Sequence, residues 1–146
     1  MKILLALDSS LKAMDEAVRL AGERRAGLTA LFVLDTTWNE YIGHDWLSGS
    51  NARAGFLDYV RNEEHLDAQR TLSELEARVK ALGGTEQIAY EVKTVAGRVA
   101  DEIHRELTNG YDLLVMGYPF RRGLEVVRDP LSKILKKTSC SVLLVR

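Results

Sequence analysis

Residues 2–35 read KILLALDSSLKAMDEAVRLAGERRAGLTALFVLD, and this stretch decides the fold. It opens and closes with continuous apolar runs, and each run ends at an aspartate, Asp8 or Asp35. Such runs are typical of strands that are buried on both faces of a sheet. Between them, apolar residues recur at helical spacing: Leu11, Met14, Val18 and Ala21. The stretch therefore predicts a strand–helix–strand unit with two parallel strands.

The rest of the chain continues this alternation. Helical spacing predicts three further helices, at about residues 56–82, 99–107 and 130–138. Apolar runs or alternation predict three further strands, at about residues 88–92, 112–117 and 141–146. Strand 88–92 alternates and is expected at or near a sheet edge. We expect an α/β protein of Rossmann-like type, an open five-stranded parallel sheet with helices on both faces. No repeat or linker interrupts the pattern, so residues 1–146 are expected to form a single domain.

The first and the last predicted helices carry more detailed signals. Ser9 or Ser10 can cap the first helix, because a hydroxyl oxygen accepts hydrogen bonds from the free N–H groups there. Gly27 is the expected left-handed residue after that helix. In the last helix, three apolar side chains are expected to face inward: Leu131, Ile134 and Leu135.

Composition and charge exclude several functional classes. Twenty basic residues against twenty-one acidic ones give a net charge of −1, so no bulk attraction for nucleic acid or anionic lipid is expected. The first apolar run ends at Asp8, too early for a signal peptide, and no stretch approaches transmembrane length. Cys140 is the only cysteine, which suits a reducing compartment. The expected location is the cytoplasm, with no membrane and no nucleic-acid partner.

Polar or small residues follow two of the predicted strands. Asp8 follows the first strand and Gly117 ends the fourth. In open α/β sheets, ligands bind beyond the carboxyl ends of the strands, where the strand order reverses. If the first and fourth strands are neighbours, Asp8 and Gly117 lie at the mouth of one crevice.

Four segments resemble the universal stress protein family: ILLALDSSLKAMDEAVRLA at 3–21, AGLTALFVLD at 26–35, YDLLVMG at 111–117, and SKILKKTSCSVLLVR at 132–146. The resemblance extends over essentially the whole chain. It implies the strand order 3-2-1-4-5 and a homodimer formed through the C-terminal strand. It also implies that five residues match positions lining the adenosine half of a nucleotide site: Ala6, Asp8, Val33, Met116 and Gly117.

The loop after the fourth strand departs from the ATP-binding signature of that family. The signature is a glycine, two residues, a second glycine, nine residues, and then a glycine with serine or threonine. Gly117 matches the first position, but Phe120 stands at the second, and Arg128 with Asp129 stand at the last pair. Gly123 could replace a displaced glycine. Because glycine permits the close approach of a phosphate, the ring of Phe120 is expected to obstruct it.

The start of the last helix also opposes a phosphate. Asp129 followed by Pro130 predicts an N-cap and a first helical residue, which places a carboxylate in the anion site. Three arginines favour the opposite outcome: Arg121, Arg122 and Arg128. We interpret them as solvated loop charges, and the alternative is that they contact phosphates.

Other candidate sites are weaker. A phospho-accepting receiver needs a paired acidic cluster, whereas Asp8 stands alone and can simply cap the first helix. His44, Asp45 and His65 lack the spacing of metal ligands. Cys140 lacks a convincing catalytic partner, since His104 is distant in sequence. We therefore predict no metal site and no catalytic residues.

The segment 38–46 contains three aromatic residues, Trp38, Tyr41 and Trp46. Three roles are open for them: a lid over the crevice, a dimer surface, or packing against the second helix.

Two functions remain open. We favour a homodimeric stress-response or signalling module that acts through contacts with unidentified proteins and does not bind ATP tightly. The alternative is a module that binds ATP or AMP, with magnesium, between the first and fourth strands and hydrolyses ATP slowly.

Overall fold

The structure is a computed structural model, and it describes residues 1–37, 50–83, 88–122 and 130–146. In these ranges five strands alternate with four helices. The elements are β1 (Lys2–Ala6), α1 (Leu11–Arg24), β2 (Gly27–Asp35), α2 (Ser50–Gly83), β3 (Tyr90–Gly97), α3 (Val99–Leu107), β4 (Leu113–Gly117), α4 (Pro130–Lys137) and β5 (Ser141–Val145).

The five strands form one parallel sheet in the order β3-β2-β1-β4-β5. This confirms the expected fold class and the order that the family resemblance implied. β1 lies in the centre, and Leu5 pairs with Ala30 of β2 and with Val115 of β4. A central strand has neighbours on both edges and helices on both faces, so only a continuous apolar run suits it. The carboxyl ends of β1 and β4 are therefore adjacent.

Each face of the sheet has its own apolar core, which confirms helices on both faces. Phe32 points to the core that contains Met14 of α1 and Leu75 of α2. Leu31, the preceding residue, points to the opposite core, which contains Ile103 of α3 and Ile134 of α4. Successive strand residues point to opposite faces, so β2 contributes to both cores.

The cap at the start of α1 is as expected, but the residue that ends it is not. Ser10 caps the helix, because its Oγ accepts from the N–H of Ala13 at 3.1 Å. The prediction for Gly27 is wrong: Arg25 is the left-handed residue, with φ 51°. The chain must turn at Arg25 because Ala26 is already buried in the core and Gly27 is already paired in β2.

Two helices differ from the sequence-based expectation. α2 begins at Ser50, about one and two-thirds turns before the predicted start at residue 56. In α4, Ile134 is buried as predicted, whereas Leu135 is 40% exposed. Adjacent helical residues point about 100° apart, so a helix that packs on one side buries only one of such a pair. Leu131 was also expected to face inward, but its side chain lies outside the described residues.

Polar contacts join α3 to β3 and to the segment that precedes β4. Glu106 accepts hydrogen bonds from Lys93 Nζ and from the hydroxyl of Tyr111, both at 2.7 Å. Burial raises the pKa of Glu106, but these donors outweigh it and hold the pKa below its ordinary value.

Among the described helices, none is both long and apolar enough to cross a membrane.

Candidate functional site

The carboxyl ends of β1 and β4 lie side by side, and Asp8 follows β1 at this edge of the sheet. We call this place the crevice, because open α/β sheets bind ligands there. Asp8 is only 2% exposed, and both of its carboxylate oxygens accept hydrogen bonds from backbone N–H groups. Oδ1 accepts from Ser10 at 2.9 Å, and Oδ2 accepts from Arg121 at 3.0 Å. Asp8 therefore joins the start of α1 to the loop after β4, which is more than the simple capping role considered from sequence.

Gly117 is needed for the close approach of β4 to the start of α1. A Cβ atom at this position would lie 2.9 Å from Cβ of Ser10 and 3.3 Å from Oδ2 of Asp8. Contacts under 3.0 Å between carbon atoms require one group to move. The structure thus brings Asp8 and Gly117 together, as the crevice argument required.

Phe120 lies away from the crevice mouth, in the core on the α3 and α4 side. It is 4% exposed and belongs to the same apolar cluster as Met116 and Ile134. The expected obstruction of a phosphate by this ring therefore does not arise. The loop leaves β4 with one aromatic side chain packed inward, which keeps the following residues close to the sheet.

Arg122 is buried at the end of β2, so its interpretation as a solvated loop charge is wrong. It is 7% exposed, and its Nη2 donates to the carbonyl oxygen of Val33 at 2.6 Å and to Oε2 of Glu64 at 2.5 Å. Its guanidinium lies over the ring of Phe32, 4.2 Å from the centroid. A charged group is tolerated in such a position only when it is paired and hydrogen-bonded. Arg121, by contrast, is exposed.

Acidic residues of α2 supply the counter-charge for Arg122. Glu64 accepts from Arg122 and also from the backbone N–H of Asp35, at 3.2 Å. Oδ2 of Asp67 lies 3.8 Å from Nη1 of Arg122. Glu64 thus connects the loop after β4, the end of β2 and the helix α2. We call the group of Arg122, Glu64 and the Val33 carbonyl the arginine contact.

Glu64 was missed from sequence, although α2 carries a signal for it. Glu64, Ala68 and Thr71 follow the helical spacing of the face that packs on the sheet, and Leu75 continues it. An acid within a stripe that is otherwise buried indicates a buried partner. The spacing does not tell which of the twenty cations of the chain that partner is.

The five residues predicted to line an adenosine site all lie at this edge of the sheet, and all are buried: Ala6, Asp8, Val33, Met116 and Gly117. Two of them already use their polar atoms in contacts within the chain. The Val33 carbonyl accepts from Arg122, and the Asp8 carboxylate accepts from two N–H groups.

The described residues supply no clear catalytic or metal centre. Within them, no three histidine, cysteine or acidic side chains are placed to hold a metal ion. Burial raises the pKa of the Cys140 thiol, which opposes formation of the reactive thiolate. His104 Nε2 lies 2.9 Å from the carbonyl oxygen of Ile134 and so connects α3 to α4.

Several residues considered from sequence lie outside the described ranges. They are Trp38, Tyr41, His44, Asp45, Trp46, Gly123, Arg128 and Asp129. The carboxylate expected at the start of α4 and the aromatic segment therefore stay predictions.

Comparisons with known proteins agree with this geometry. The model of the universal stress protein family matches residues 1–146. No curated protein sequence shows significant similarity. Universal stress protein UspA from Lactobacillus plantarum is 22% identical, with a TM-score of 0.72 over 100% of this chain and 97% of that one.

Two nucleotide complexes are also similar in fold. The universal stress protein from Archaeoglobus fulgidus in complex with dAMP is 17% identical, with a TM-score of 0.63 over 100% of this chain and 98% of that one. A family protein from Arabidopsis thaliana with AMP bound is 17% identical, with a TM-score of 0.53 over 99% and 90% of the respective chains. Because the family model matches the full length and solved members share the fold, this chain belongs to the universal stress protein family.

Proposed function

We propose that this chain is a single-domain, cytoplasmic stress-response or signalling module that acts through contacts with other proteins and does not bind ATP tightly. One observation carries the proposal: Arg122 donates to the Val33 carbonyl and pairs with Glu64 at the crevice where the family resemblance expects adenosine. The Val33 carbonyl, at one of the positions expected to line adenosine, already accepts a hydrogen bond from within the chain. The module lacks a catalytic role in this proposal.

The energetic cost of displacing Arg122 supports weak binding. A nucleotide that takes the place of Arg122 at the Val33 carbonyl leaves Glu64, whose side chain is 13% exposed, without its cation. Breaking a buried ion pair on one side costs about 3 kcal/mol. Since about 1.4 kcal/mol corresponds to a tenfold change in affinity, this cost weakens binding roughly a hundredfold.

The alternative function is binding of ATP or AMP, with magnesium, between β1 and β4, followed by slow hydrolysis. The relatives from Archaeoglobus fulgidus and Arabidopsis thaliana, described with dAMP and AMP, support it. In this alternative Ala6, Asp8, Val33, Met116 and Gly117 line the nucleotide, and Arg122 leaves Val33 to contact the phosphates.

Thermal melting with and without millimolar Mg-ATP or AMP distinguishes the two functions. A ligand at a hundred times its Kd adds about 2.7 kcal/mol of stability, which raises the Tm by several degrees. We expect no shift for the natural chain and a clear shift for Arg122→Ala, each measured against the same protein without nucleotide. Arg121→Ala, at the exposed neighbour, is the matched control and is expected to behave like the natural chain.

A different pattern of melting supports the alternative. A clear Tm rise in the natural chain, lost in Asp8→Ala but kept in Arg121→Ala, contradicts the proposal. The same holds if copurified adenine nucleotide is found by mass spectrometry of the heat-denatured protein.

We further propose that the module is a homodimer formed through β5. This strand is at one edge of the sheet, and Leu144 is 38% exposed. An edge strand with unpaired backbone groups and apolar side chains is stabilised by pairing with a second copy.

Sedimentation at micromolar concentration is expected to give a dimer for the natural chain and a monomer for Leu144→Asp. Leu66→Asp, at a 48% exposed position of α2, is expected to stay dimeric. A monomeric natural chain contradicts this proposal.

A further inference from the structure

β3 forms one edge of the sheet, and no strand of the described residues pairs with its outer side. The N–H of Leu28 in β2 donates to the carbonyl oxygen of Ala89 at 3.0 Å. In a parallel ladder both backbone groups of a residue face the same neighbour, and the direction alternates from one residue to the next. Odd-numbered residues of β3 therefore face β2, whereas the N–H and C=O groups of Tyr90, Val92 and Thr94 point outward.

Two apolar side chains stay exposed at this edge. Tyr90 and Val92 pair with Leu28 and Ala30 of β2, whose side chains are buried in the core with α1 and α2. The apolar face of the sheet thus continues to its edge, but Tyr90 and Val92 are exposed there. An edge strand with outward backbone groups and exposed apolar side chains is a template for pairing with another strand.

The opposite face of β3 carries one acid and one base, Glu91 and Lys93. Glu91 is exposed and accepts from the hydroxyl of Thr29 at 3.3 Å. Lys93 Nζ donates to Glu106 at 2.7 Å and lies 3.9 Å from Oε1 of Glu91. Lys93 is thus already paired, but its side chain is 37% exposed, and its ammonium group has three N–H donors. A carboxylate from outside the chain can therefore reach it as a further acceptor.

The residues of β3 suit an antiparallel pair with a second copy of β3 in one register. With Val92 opposite Val92, Glu91 of each copy lies opposite Lys93 of the other, and Tyr90 lies opposite Thr94 on the apolar face. Shifting one strand by two residues, the smallest step that keeps the outward groups opposed, sets Glu91 opposite Glu91 or Lys93 opposite Lys93. Like charges in such positions are destabilising. Edge strands that avoid pairing carry mainly lysine, whereas β3 carries both signs of charge two positions apart.

We propose that two copies of this chain pair through β3, antiparallel, with Val92 at the two-fold axis. Tyr90, Val92 and Thr94 of both copies then form about six backbone hydrogen bonds. A contact of so few residues is at the small end of protein interfaces, for which association is weak and transient. It uses the sheet edge opposite β5, so it does not depend on the proposed β5 dimer. Where both edges pair, copies join into a growing chain, because two different two-fold contacts at opposite edges do not close.

Amide hydrogen exchange tests this pairing, because only the outward N–H groups of β3 gain a partner. In the full chain at low micromolar concentration, the N–H groups of Tyr90, Val92 and Thr94 are expected to exchange fast, and those of Glu91 and Lys93 slowly. At about a millimolar, exchange of the three outward groups is expected to slow about threefold, which corresponds to a Kd of a few hundred micromolar. Mass spectrometry with fragmentation to single residues measures these rates at any size of assembly.

Charge reversal at Glu91 tests the register. Glu91→Lys sets a lysine opposite Lys93 in both cross-strand pairs and is expected to weaken the association about tenfold or more. The outward N–H groups then lose most of their slowing at high concentration. Glu63→Lys makes the same change of charge at an exposed position of α2 and is expected to keep the full slowing.

Sedimentation separates this contact from pairing through β5. Leu144→Asp at about a millimolar is expected to dimerise through β3, and Leu144→Asp combined with Glu91→Lys is expected to stay largely monomeric. Three results each overturn the proposal: outward N–H groups that already exchange slowly at low concentration, exchange that does not depend on concentration, or equal slowing in Glu91→Lys and Glu63→Lys.

Discussion

Replacing Arg122 with alanine is expected to lower the free energy of unfolding by about 3 kcal/mol. The substitution removes the hydrogen bonds to the Val33 carbonyl and to Glu64, and leaves the Glu64 carboxylate at a position where it is 13% exposed. A buried carboxylate without its cation carries a large desolvation cost. The loss is large compared with the total stability of a domain, about 5 to 15 kcal/mol.

Urea denaturation at neutral pH measures this loss, and two variants control for its cause. Arg121→Ala removes the same side chain at an exposed position, and its effect is expected to stay within about 0.5 kcal/mol. The double variant Arg122→Ala with Glu64→Leu removes both charges and is expected to recover part of the stability. If Arg122→Ala and Arg121→Ala have equally small effects, Arg122 is a solvated charge and the arginine contact does not exist in solution.

The arginine contact shows why the fold was easier to predict than the site. The strands follow from local patterns, such as the continuous apolar run that becomes β1. The pairing of Arg122 with Glu64 joins residues 58 positions apart in the chain. No local pattern distinguishes Arg122 from its exposed neighbour Arg121. Only the folded chain shows that Phe120 packs inward and that Arg122 follows it to Val33.

The position of Asp8 beside Gly117 was predictable for a different reason. Parallel strands end at the same edge of a sheet, so an aspartate after β1 meets the glycine that ends β4 once these strands are neighbours. The neighbour relation itself came from the family resemblance, because apolar runs do not encode strand order. The end of α1 depended on packing: Ala26 had to enter the core, and so the turn fell on Arg25.

Replacing Phe32 with alanine is expected to cost about 3 to 5 kcal/mol of unfolding free energy. Phe32 is fully buried, and its ring packs in the core with Met14 and Leu75. The Arg122 guanidinium lies over the same ring, 4.2 Å from its centroid. The substitution therefore leaves a cavity in the core and also removes the aromatic surface that supports the arginine contact.

A double-mutant cycle separates these two effects. Combining Phe32→Ala with Arg122→Ala is expected to show a coupling of about 1 kcal/mol, because a cation over a desolvated ring contributes roughly that amount. Leu31→Ala, a buried position of the same strand that faces the opposite core, is the matched control. It is expected to destabilise the chain but to show no coupling to Arg122→Ala. Equal coupling at both positions means that the core transmits the effect and that the ring has no special relation to the guanidinium.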